Sequence, residues 1–258
     1  MITAGIDIGS ISAKAAIMKE GVLLGTKVIS TGYHAELSGN KVFDEILSEL
    51  GLGRKSVNRI VSTGYGRKSM AAADKAITEI MCHAAGAYYL NPQIRSIIDI
   101  GGQDSKAIVM DDKGKVVNFV MNDKCAAGTG RFLEVMARAL EVDLGRFGEI
   151  SLSADRPAKI SSLCTVFAES EVISLIAKGE KRENIIAGIH DSICARVSAM
   201  MMRIGIREPV MITGGVAKNV GVVRALRKML HSPVEVSRYA QENGAIGAAC
   251  LARNLSAP

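Results

Sequence analysis

"AGIDIGSISAKAAIM" at residues 4–18 returns as "SIIDIGGQDSKAIVM" at residues 96–110, with Asp7 over Asp99, Gly9 over Gly101 and Lys14 over Lys106. Each copy is an apolar run, a turn bearing Asp and Gly, and a second apolar run, the pattern of a tight strand pair. A third strand-like run follows each: "VLLGTKVIS" at 22–30 and "KVVNFVM" at 115–121, reached through the turns "EGV" and "DDKGK". The chain therefore reads as an α/β protein made of one unit used twice.

Around these runs, periodicity predicts helices at 41–50, 76–90, 126–140, 165–178, 184–204 and 217–230, and a strand over "RIVSTG" at 59–64. Within 184–204, Ile186, Ile189, Ile193, Val197, Met200 and Ile204 recur at three- and four-residue steps and form a core-facing stripe. The methionine run at 200–202 then reads as packing. Residues 1–93, joined by a last helix at 240–258, are expected to form the first lobe, and residues 94–239 the second. No Pro/Ser-rich linker separates them, so the lobes are expected to meet across a cleft.

Composition removes several function classes. With 258 residues, 48% of them hydrophobic and 22% charged, the chain has enough apolar matter for a large core and is no disordered segment. Trp is absent and aromatics are few, so the net charge of +6 comes without the stacking surface of a single-strand nucleic-acid binder. Much of the positive charge sits in "KGEKRE" (178–183) and "RALRKML" (224–230), which read as solvated helix faces or a contact for an acidic protein. No basic-then-apolar leader opens the sequence and no apolar run reaches the roughly 18 residues of a membrane span, so a cytoplasmic protein without membrane contact is expected. Five cysteines, an odd number, point to metal or redox work rather than a disulfide framework.

The turns carry the chemistry. A strand ending in "DIGS" or "DIGG" puts glycine where backbone must approach a phosphate, with a carboxylate beside it to hold Mg²⁺. Twice in one chain, this suits a triphosphate. "VMITGGVAKN" (210–219) runs from strand through a glycine pair to a helix start and suits close packing on a nucleoside, and "AQENGAIGAA" (240–249) opens a helix with polar residues that can reach base or ribose. Each residue also has a plain structural reading: Asp7 or Asp99 as a turn cap, Lys14 as a strand-edge lysine, Gln103 as a backbone partner.

This combination resembles the two ribonuclease-H-like lobes of the actin, sugar kinase and heat-shock-70 ATPase fold. The resemblance implies that Ser10, Ile11, Ser12, Ala13 and Lys14 wrap phosphates together with Gly101, Gly102 and Gln103. It further implies that Asp7 and Asp99 govern Mg²⁺, that Gly214, Gly215 and Gln241 border the nucleoside of ATP or ADP, and that Gln103 positions the attacking water.

Two cysteines fall outside that reading. "NDKCAAGTGRF" and "CTVFAESEV" place Cys125 and Cys164 just ahead of expected helices, where free N–H groups and partial positive charge favour a thiolate and an electron-rich anion. Taken singly, each could equally be a small buried hydrophobe. With "GIDIGSISAK", "DIGGQDSK", "TGGVAKN" and "QENGAIGAA", these contexts closely resemble the activators of 2-hydroxyacyl-CoA dehydratases and their relatives in benzoyl-CoA reductases. That resemblance implies a homodimer in which Cys125 and Cys164 of each copy bind one bridging [4Fe-4S] cluster. It implies an electron donor, ferredoxin or flavodoxin, and an acceptor, an iron–sulfur dehydratase or reductase component. Cys82, Cys194 and Cys250 lie in apolar helical contexts and read as packing. Two rivals on the same fold are a small-molecule kinase and an actin-like assembly protein.

Overall fold

Strand β1 (Ile2–Ile8) pairs antiparallel with β2 (Ser12–Lys19), which pairs antiparallel with β3 (Val22–Ser30). On its other side β1 runs parallel to β4 (Arg59–Thr63), reached through α1 (Ala35–Glu49), and β4 to the two-residue β5 (Lys75–Ala76), after which α2 (Glu79–Leu90) leads to the second sheet. The same plan follows. β6 (Ser96–Ile100), β7 (Ser105–Met110) and β8 (Val116–Asn122) precede α3 (Gly130–Ala139), α4 (Leu144–Ser151), α5 (Thr165–Ala177) and α6 (Arg182–Ile204). β9 (Val210–Thr213), α7 (Val220–Leu230), β10 (Val234–Val236) and α8 (Asn243–Ala252) complete the chain. The sheets have the orders β3-β2-β1-β4-β5 and β8-β7-β6-β9-β10, which match strand for strand.

The computed structural model describes residues 1–161 and 164–255. It comprises one unit of Met1–Arg95, Met110–Val117 and Arg238–Pro258, and a second of Ser96–Val109 and Asn118–Ser237. In the first unit, Ile6, Ile8, Ala15 and Ile17 from β1 and β2 pack with Val42, Phe43, Ile46 and Leu47 of α1. The other face of β1 is covered by α8 at very short range. A Cβ on Gly5 would lie 1.9 Å from the Ala245 carbonyl oxygen, so backbone touches backbone there. Thr3 Oγ1 donates to the Ala249 carbonyl at 3.0 Å and ties the two elements together.

In the second unit the central strand β6 is buried along its whole length, as a strand covered on both faces must be. α6 turns Ile185, Ile186, Ile189, Ile193, Val197 and Met201 into the interior of the unit. The buried methionine is Met201. Met200 is half-buried and Met202 is 64% exposed, so the run at 200–202 is only partly core. α6 is also long and apolar enough to cross a membrane, against the expectation that no such run exists. It is packed as a core helix against α4 and α7, and it carries Asp191, Arg196 and Arg203.

Candidate functional site

The β1–β2 and β6–β7 hairpins are built alike. Gly9 N–H donates to the Ser12 carbonyl at 3.1 Å, and Gly101 N–H to the Asp104 carbonyl at 2.9 Å. In register, Asp7 stands opposite Lys14 and Thr63, and Asp99 opposite Lys106 and Thr213. Both carboxylates are buried, at 5% and 2% exposure. Lys14 Nζ reaches Asp7 Oδ2 at 3.2 Å, while Lys106 Nζ reaches Asp99 Oδ2 at 3.1 Å and Asp104 Oδ2 at 2.7 Å. Thr213 Oγ1 donates to Asp99 Oδ1 at 2.9 Å. Lys106 is thus locked between two carboxylates, whereas Lys14 has one and is the more exposed of the two.

Where each hairpin's parallel neighbour ends, a glycine lets the chain turn against the carboxylate. Gly64 (φ +89°) follows β4 and Gly214 (φ +87°) follows β9. A Cβ on Gly64 would lie 2.5 Å from both Asp7 Oδ1 and the Ile8 carbonyl; one on Gly214 would lie 2.9 Å from Asp99 Oδ1 and 2.3 Å from the Ile100 carbonyl. Gly214 therefore serves Asp99 directly, and Gly64 is its counterpart, which sequence reasoning missed. The signal was available in "STG" at 62–64 against "ITG" at 212–214. Asp104 was missed as well. Near Asp7, a Cβ on Gly244 would fall 3.0 Å from Asp7 Oδ2 and 3.2 Å from His83 Nε2, so the start of α8 and a buried histidine back that carboxylate.

The remaining expected residues divide. Ile11 and Gln103 are exposed at the hairpin tips, and Gln103 makes no hydrogen bond among the described residues. Ser10, Ser12, Gly101 and Gly102 are half-buried, and Ala13 is fully buried, leaving only its backbone for any ligand. Gln241 Nε2 donates to Ser12 Oγ at 3.4 Å, which seats it on the first hairpin. Gly215 is exposed at the start of a short 3₁₀ turn, Gly215–Lys218.

Cys125 and Cys250 are half-buried, Cys82 and Cys194 buried. Cys164 is exposed and is the N-cap residue of α5, without a side-chain cap hydrogen bond. Cys125, expected at a helix start, lies five residues before one. Gly128 adopts φ +88° and Thr129 N–H and Oγ1 both turn back to the Ala126 carbonyl, so helix begins only at Gly130. Asn122 Nδ2 holds this turn by donating to the carbonyls of Cys125 (2.9 Å) and Ala127 (3.1 Å). Cys82 and Cys194 are buried; burial pushes the Cys82 thiol up to about 12, the Cys194 thiol higher still, and half-buried Cys250 to about 12. None of these three is a ready thiolate at neutral pH.

The first two N–H groups of α3 point at the second hairpin. Gly130 N–H donates to the Gly101 carbonyl and Arg131 N–H to the Gly102 carbonyl, both at 2.8 Å. Two helix-end donors that would otherwise need water are satisfied by the turn itself, which joins it to the segment carrying Cys125.

A sequence model of the BadF/BadG/BcrA/BcrD ATPase family matches residues 4–252. The activator of lactoyl-CoA dehydratase from Anaerotignum propionicum is 50% identical over 253 residues, covering 98% of this chain and 97% of that protein. The activator of the 2-hydroxyisocaproyl-CoA dehydratase from Clostridium difficile, solved with bound ADPNP, is similar at a TM-score of 0.93 and 43% identity, covering 100% and 99% of the two chains. A glucokinase of the ROK family from Streptomyces griseus, solved with glucose and AMPPNP, shares the fold alone, with a TM-score of 0.60, 14% identity and coverage of 99% and 100%.

Proposed function

The chain belongs to the BadF/BadG/BcrA/BcrD ATPase family, and from that membership we propose that it activates a 2-hydroxyacyl-CoA dehydratase by coupling ATP hydrolysis to one-electron transfer. The activator names of relatives at this identity support the dehydratase as partner, and the ADPNP-bound neighbour supports the nucleotide. In this reading the Ser10–Lys14 and Gly101–Gln103 turns take the phosphates, Asp7 and Asp99 hold Mg²⁺ directly or through water, and Gly214, Gly215 and Gln241 border the nucleoside. Exposed Gln103 orients the attacking water.

Cys125 and Cys164 fit a shared iron–sulfur cluster by accessibility. Cys164 is exposed and Cys125 half-buried, whereas burial holds Cys82, Cys194 and Cys250 in the thiol form, and two per chain is half of a four-thiolate set. A second copy supplies the other half. Val166 and Phe167, beside Cys164 on α5, are 67% and 65% exposed, an apolar collar of the kind that a second copy covers. The cluster, when bound, supplies a one-electron carrier between a ferredoxin or flavodoxin and the dehydratase. Lowering an electron's potential by about 0.3 V takes roughly 7 kcal/mol at about 59 mV per factor of ten. Ligand coupling alone usually supplies about 1–3 kcal/mol, so hydrolysis is required.

The observation that carries the coupling is the pair of hydrogen bonds from Gly130 and Arg131 to the Gly101–Gly102 turn, because any shift of the phosphate turn pulls on α3 and the Cys125 turn ahead of it. The test is anaerobic purification with iron and sulfide analysis. About four irons per dimer are expected, lost in Cys125→Ser and in Cys164→Ser while ATP hydrolysis persists. A metal-free monomer, or iron retained in both variants, overturns the reading.

A further inference from the structure

Between β8 and α6 runs a groove of about 460 Å³, lined by Val120 and Met121 on the strand and by Arg196, Ala199, Met200 and Arg203 on the helix. Its floor is apolar and its charge is of one sign. Arg196 and Arg203 stand seven residues apart, two helical turns or about 10 Å along the axis. Neither has a carboxylate partner among the described residues. Beyond the groove, Phe119, on the same face of β8 as Met121, is 51% exposed and extends the apolar surface. β8 is the last strand of its sheet, and a terminal strand offers backbone donors and acceptors to an added segment.

The groove also adjoins the Cys125 turn. Asn122, which lines it, grips the carbonyls of Cys125 and Ala127. The stem of Arg196 lies against the turn from the other side: a Cβ on Gly128 would meet Arg196 Cδ at 2.8 Å.

Resting on the activator reading above, we propose that this groove docks an acidic, partly apolar segment of the dehydratase that accepts the electron. Carboxylates of that segment pair with Arg196 and Arg203, in bidentate fashion where the geometry allows, and its apolar side chains sit on Met121 and Met200, whose flexible thioethers adapt to them. The surface that binds the acceptor is thereby contiguous with the turn that carries Cys125.

The test compares the cluster-loaded dimer with Arg196→Glu/Arg203→Glu and with Arg203→Glu alone, the latter sparing the Gly128 contact. Anaerobic binding to the dehydratase is measured by interferometry at several salt concentrations, alongside ATP hydrolysis, iron content and sedimentation. The expected result is binding weakened about tenfold or more in both variants with a flatter salt dependence, and with hydrolysis, iron and dimer unchanged in Arg203→Glu. Arg196→Lys/Arg203→Lys should retain most of the affinity. Unchanged binding in a wild-type background that holds iron and reduces the dehydratase overturns the docking site and leaves the activator reading standing. A shift to monomer in Arg203→Glu overturns it in favour of a contact between copies. A wild-type protein that binds neither iron nor dehydratase overturns both.

Discussion

Replacing Lys106 by Met removes the ammonium from a site where its side chain is 1% exposed and that of Asp99 3%, and where a second carboxylate, Asp104, lies at 2.7 Å. Asp99 keeps the Thr213 hydroxyl but loses the Lys106 ammonium in a place water barely reaches. Breaking a buried ion pair from one side costs about 3–5 kcal/mol. At about 2–4 °C per kcal/mol for a chain of about this length, Tm should fall by roughly 6–20 °C. Lys14→Met in the first hairpin is the internal comparison. There the side chains are 13% and 8% exposed and one carboxylate is involved, so water can partly replace the ammonium and the loss should be less than half as large. All five tyrosines lie in the first unit and Trp is absent, so scanning calorimetry is the assay, because tyrosine fluorescence would be silent on the second unit. Asp99→Asn/Lys106→Met, which removes both charges, should recover at least half of the lost stability. A Lys106→Met protein melting within about 3 °C of wild type, or no recovery in the double variant, would refute the argument that this pair is electrostatically sealed.

Two further outcomes follow from the same structure. Gly214→Ala should lower Tm and weaken Mg-nucleotide binding in a calorimetric titration, because φ +87° strains any other residue and the new methyl would strike the Ile100 carbonyl and Asp99; Gly215→Ala, exposed and at ordinary φ, should leave Tm unchanged. His190 is buried against Phe147, and burial lowers its pKa from 6.5 to about 4. Between those values the unfolded chain binds a proton that the folded one refuses, so stability is full above about pH 6.5 and falls toward pH 4 by about 3 kcal/mol; urea midpoints across that range should flatten in His190→Gln.

How far the sequence revealed the protein depended on whether a residue's task was local. The duplicated strand–turn–strand was legible because Asp, Gly and Lys recur at one spacing and the β1 and β6 runs are apolar throughout. The fold class followed from that repeat and the helices after it. β5, β10 and α4 escaped: the first two are too short to show periodicity, and "LGRFGEIS" carries two glycines that lower its helical signal. The Cys125 segment looked helical because its alanines favour helix, but Gly128 and the back-bonding Thr129 hold it open. Gly64 packs on the Asp7 carboxylate, far off in sequence and visible only through the β1–β4 register, and Asp104 pairs with Lys106 only once the hairpin between them has closed. Met200 exchanged places with Met201 because a stripe on one face of α6 can be read one residue out of phase.

The seating of α8 on β1 has a consequence for biosynthesis. Residues 2–8 leave the ribosome early, but the helix that covers their back face lies at 243–252. At elongation rates of about 5–20 residues per second, that face waits roughly 10–50 s for its cover. Throughout that interval the nascent first unit presents an open apolar sheet surface that a trigger-type holdase can occupy, and a stalled or prematurely ended chain never closes it.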